Sequence, residues 1–132
     1  MRAAVISLTM LACMSIAGAA LAIDLPPTAK KASILEFKAL ADAKKVKVEI
    51  FDLGTPVSAD LVWNWKKKSI TGKADVNGKT INVNARLSFK GEQACATNKG
   101  EKPTCHFIYI DGNKFYEVRD DMQVHAVSTV AQ

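Results

Sequence analysis

Residues 69–91 read SITGKADVNGKTINVNARLSFKG, and they decide the fold class. At their centre stands Asn77-Gly78, the preferred pair for a two-residue type I′ turn, because both central positions need positive φ. A turn there sets Ala74 opposite Ile81, Gly72 opposite Val83 and Ile70 opposite Ala85. Successive side chains of a strand point to opposite faces. One side of the hairpin therefore carries Ile70, Val76, Ile81, Val83, Leu87 and Phe89, and the other carries Thr71, Lys73, Asn82, Asn84, Arg86 and Lys90. Turn chemistry and burial pattern agree on an antiparallel hairpin with one core face and one wet face.

Immediately upstream, LVWNWKKKSI (61–70) sets Leu61, Trp63 and Trp65 on one strand face and Val62, Asn64 and Lys66 on the other. A leucine in line with two indoles belongs to a core, where each aromatic contributes roughly 1.5–3 kcal/mol. The lysines that follow fall at the strand end, in water. Further back, GTPVSAD (54–60) is a loop, and Val46, Val48 and Ile50 alternate with Lys47 and Glu49 in a strand pattern. Before that, Ser33 and Glu36 form a capping-box signature, and Ile34, Phe37, Leu40 and Ala41 recur at helical spacing. This predicts an amphipathic helix of about three turns. Downstream, CHFIYIDGNKFYEV (105–118) predicts a second hairpin turning at Asp111-Gly112-Asn113, and MQVHAVS (122–128) a final strand.

Together these elements predict an α+β domain over residues 33–128, followed by a short tail at 129–132. One N-terminal amphipathic helix packs on a curved antiparallel sheet of six to seven strands. Closure of that sheet into a small barrel would hide strand edges that otherwise invite aggregation.

The first 22 residues have the layout of a secretory signal peptide. Arg2 precedes an unbroken apolar run, and Ala20-Leu21-Ala22 supplies the small residues of a cleavage site. Residues 23–32, with Pro26-Pro27, form an extended linker. An uncleaved anchor and lipid attachment at Cys13 are the rival readings. Cleavage predicts a periplasmic or secreted protein with no remaining membrane span. Export makes the two remaining cysteines, Cys95 and Cys105, a disulfide pair. Closing so short a loop stabilises a fold by roughly 2.5–3 kcal/mol.

The chain has 18 basic and 13 acidic residues, a net charge of +5. Between Lys66 and Lys90, seven cations face one acid, Asp75. Nucleic acid is not the expected partner. Three consecutive lysines give a salt slope of only about −3, and non-specific binders engage roughly twice as many phosphates or more. Arg86 and Arg119 are the sole arginines after the leader, although the guanidinium fork is the better phosphate ligand.

The candidate binding residues are Lys66, Lys67, Lys68, Lys73, Asn82, Asn84, Arg86 and Lys90 around the hairpin, with Lys99 and Lys102 in the stapled loop. Cations and amides on a rigid sheet suit an acidic protein or an anionic envelope glycan, and a tethered loop loses little entropy on binding. The expectation is a non-enzymatic binding protein, one specific form being an inhibitor of a cell-wall hydrolase. The alternative is an envelope assembly component that uses strand edges.

Catalytic and cofactor signatures are absent, so no cofactor is expected. A hydrolase pairing Glu117 with Asp120 or Asp121 is the remaining enzymatic reading. His106 and His125 offer two ligands, too few for a strong metal site, and none is expected.

Overall fold

The computed structural model describes residues 23–132; residues 1–22, and with them the signal-peptide reading, lie outside the described residues. Nine strands and one helix follow in order. They are β1 (Lys30–Lys31), α1 (Ile34–Ala41), β2 (Lys45–Ile50), β3 (Val57–Asn64), β4 (Ser69–Val76), β5 (Lys79–Lys90), β6 (Gln93–Thr97), β7 (Thr104–Asp111), β8 (Lys114–Val118) and β9 (Val124–Val130). Each strand from β2 to β9 pairs antiparallel with its sequence neighbour, and β9 pairs back onto β2. The result is a closed, eight-stranded up-and-down barrel, with β1 adding two residues to the edge of β7.

The hairpin at Asn77-Gly78 has the expected register, with Ala74 opposite Ile81 and Ile70 opposite Ala85. Both turn residues have positive φ, 53° and 77°. Inward positions alternate as the sequence predicts: Val46 and Val48, Ala59 and Trp63, Ile70 and Ala74, Ala85 and Leu87 are all buried. Many of them are alanines, which suits an interior narrow enough for opposite walls to touch. Gly72 is required by close approach. Its φ is +152°, and a Cβ there would stand 1.9 Å from the carbonyl oxygen of Asp60 on β3.

Several expectations are corrected. The barrel has eight strands, not six or seven; the missing one is β6, hidden in the segment read as a stapled loop. Cys95 and Cys105 are directly opposite residues of β6 and β7, joined by a disulfide, so the loop proper is only the hairpin connection at Asn98–Pro103. The helix is eight residues long, not three turns. Its capping box forms as read, Ser33 accepting from the Glu36 backbone N–H and Glu36 accepting from that of Ser33. It ends early because Asp42 and Ala43 dock on β3. The Asp42 carboxylate accepts from the Trp65 backbone N–H, just past the end of β3, at 3.0 Å. Ala43, at φ +61°, donates to the Trp63 carbonyl at 2.7 Å.

The helix does not lie on a sheet face; it closes one end of the barrel. Phe37 is fully buried, with its ring edge-on to Trp63 (5.1 Å), Trp65 (5.0 Å) and Phe115 (4.7 Å). Both tryptophans are therefore core. Residues 23–32 are not a free linker either. Ile23, Leu25 and Ala29 cover Tyr116, Val118 and Val124 on the outer wall, and Ala32 N–H donates to the Ile108 carbonyl. The tail also begins later than expected, since β9 includes Thr129 and the buried Val130.

Candidate functional site

The predicted basic residues occupy the outer wall of β4 and β5, one end of that wall and the neighbouring β6–β7 loop. Lys73 stands opposite Asn82, and Thr71 opposite Asn84, with Arg86 between Ser69 of β4 and Thr97 of β6. Lys66, Lys67 and Lys68 form the β3–β4 turn, and Lys90 ends β5 nearby. Lys99 and Lys102 sit on the β6–β7 loop. All ten predicted binding residues are exposed. Among the described residues, none of these cations forms an ion pair. Lys68 is partly committed: its ammonium lies 5.2 Å from the centre of the Phe89 ring. Asp60, paired with Lys47 at 3.9 Å, is the acid opposite Lys73.

β6 covers only Arg86–Lys90 of β5, so the first half of β5 runs past it toward the rim. The space beside this overhang is a groove of about 680 Å³. Lys68, Asn84 and Arg86 form one wall, and Asn98, Lys99, Glu101 and Pro103 of the stapled loop form the other. The sheet face and the loop, two separate candidates in the sequence, thus border one groove. Lys66, Lys67, Lys73 and Lys90 lie outside it, on the same wall.

A second cluster lies at the barrel rim, opposite the helix. His106 projects inward from β7 and Glu117 from β8. A register shift at Glu117/Val118 in the β8–β9 ladder leaves His125 as the extra residue. Such a bulge re-aims a side chain. The two imidazoles stack across β8, 4.3 Å between centres and 8° from parallel. His125 Nδ1 is 2.6 Å from Asp52 Oδ1. Arg119 braces Asp52 at 3.5 Å and binds Asp121 at 2.8 Å. Burial and the neighbouring His125 charge push the His106 pKa down to about 4, with Asp52 opposing. Burial pushes Glu117 up, with His125 opposing.

Sequence reasoning could pair the two imidazoles across neighbouring strands but left Glu117 out of that pair, because it joins them only when β7, β8 and β9 lie side by side. The carboxylates of the hydrolase reading take different surroundings. Glu117 faces inward, whereas exposed Asp120 accepts from Gln93 and Asp121 is held by Arg119 and Gln123 N–H. No family model, curated protein or solved structure matches the chain.

Proposed function

We propose that this protein is an exported, non-enzymatic binding protein that holds an acidic protein or an anionic envelope glycan along the outer wall of β4 and β5. One observation supports this reading: the groove in which Asn84 and Arg86 face the stapled Asn98–Pro103 loop, where Lys68, Arg86 and Lys99 outnumber the single acid, Glu101, and form no ion pair among the described residues. Unpaired surface cations project a field that steers an anionic partner toward them. The amides of Asn82, Asn84 and Asn98 supply donors and acceptors that discriminate among anions. The disulfide across β6 and β7 limits the loop's freedom before contact, so less ordering entropy is lost on binding. Inhibition of a cell-wall hydrolase is the specific form in which the acidic partner is an enzyme. Among the described residues no helix is long and apolar enough to cross a membrane.

The test is binding to envelope fractions and to an immobilised anionic glycan while salt is raised. Binding should weaken steeply with salt, and Lys73→Glu with Arg86→Glu should reduce it at least about tenfold at low salt. Salt-insensitive binding, or binding unchanged in the double variant, contradicts the reading.

The second reading, assembly through strand edges, has one foothold. Residues 79–85 of β5 have no strand partner on the side away from β4 among the described residues. It predicts salt-insensitive self-association, visible by sedimentation.

A further inference from the structure

The rim cluster plays no part in recognising an anion along the outer wall, and it has a chemistry of its own. We propose that His106, Glu117 and His125 form a binding site for a divalent transition-metal ion of the zinc class, supported by Asp52.

The donor set is the first argument. One ligand atom from each of the three side chains lies within 4.8 Å of the others, and the three come from three different strands. Two imidazoles and one carboxylate are a recurring zinc set, which leaves a coordination position for water or another ligand. Nitrogen donors also favour a late first-row ion over magnesium or calcium.

The second argument is the support behind the ligands. A metal-bound histidine typically donates its other ring N–H to a carboxylate, which fixes the tautomer and aims the free lone pair. Asp52, 2.6 Å from Nδ1 of His125, stands where that role requires it, leaving Nε2 for the ion. Arg119 holds Asp52 in turn.

The third is polar accounting. A carboxylate and an imidazole facing the inside of a barrel are costly unless something satisfies them. Among the described residues, neither the His106 ring nor the Glu117 carboxylate has a protein hydrogen-bond partner, and both are reached only by the solvent of the rim. An ion would engage both. Tetrahedral zinc with bonds of about 2.0–2.1 Å sets its donors about 3.3 Å apart, so the three groups close in by up to about 1.5 Å and one imidazole turns out of the parallel stack to aim its lone pair at the ion. Entry is open, because His106 and His125 line a cleft of about 520 Å³ with Thr104, Arg119, Asp120 and Asp121.

The chain has two histidines, both in this cluster, so its imidazole signals are unambiguous. The experiment titrates the oxidised, untagged protein with zinc chloride by calorimetry and follows the imidazole nitrogens by NMR. Expected are one ion per chain, shifts of both imidazoles, and a higher thermal midpoint for the loaded protein. Asp52→Asn, which leaves all three ligands in place, should weaken zinc binding about 10–100-fold. The His106→Ala/His125→Ala variant should abolish it; if that variant does not fold, the Asp52→Asn affinity and the wild-type spectra decide. No bound ion, an ion that leaves both imidazoles unshifted, or undiminished affinity in Asp52→Asn overturns the proposal.

Discussion

Phe37 is the residue on which the closed end of the barrel depends. It comes from the short helix, yet its contacts are the rings of Trp63, Trp65 and Phe115 on the barrel wall. Phe37→Ala should cost about 3–5 kcal/mol, the range for emptying a fully buried aromatic site, read from the shift in urea midpoint. His106 governs a different variable. In chelator-treated protein it faces His125, Glu117, Asp52, Arg119 and Asp120, and it stays neutral until about pH 4. The unfolded chain takes up that proton near pH 6.5, so it binds more protons than the folded chain between those values. Stability therefore falls as pH drops through that window. Glu117 acts in the opposite sense: its raised pKa makes the folded chain hold a proton that the unfolded chain releases, so its contribution declines as pH rises above the ordinary carboxylate range. His106→Asn should show a shallower loss of stability between pH 6.5 and 4 in urea titrations. An unchanged slope would contradict a neutral, buried His106.

Among the elements, the hairpins were the most legible, because turn chemistry and alternation specify them together. Asn77-Gly78 sets a register that the wall of alternating residues then repeats. β6 was hidden for the converse reason. Its Ala94, Cys95 and Ala96 lack both the bulk and the alternation that mark a strand, and only the pairing of Ala94 with Phe89 and Ala96 with Leu87 makes them one. The helix was legible at its start, where capping is local, and not at its end, where tertiary bonds from Asp42 and Ala43 to β3 terminate it. The disulfide belongs to this scale as well, since it ties directly opposite residues of β6 and β7. Replacing both cysteines with alanine should lower stability by about 2.5–3 kcal/mol. Amide exchange should rise first in β6 and the Asn98–Pro103 loop, and a uniform rise across the barrel would show that the bridge acts on the whole fold.

For the whole molecule, the step that no local pattern announces is closure. The β2–β9 ladder, Val46 opposite Val130 through Ile50 opposite Ala126, joins the two ends of the domain. The same step explains why half of the candidate chemistry escaped the sequence. Charge runs such as Lys66–Lys68 are contiguous and visible, whereas the rim cluster needs three strands in register and a bulge at Glu117/Val118. Closure around so many alanines has a further result. Eight-stranded barrels of greater bore carry small apolar cargo down their middle; here Phe37, both indoles and Phe115 already fill that passage. A guest entering from the helix end would first have to evict that plug.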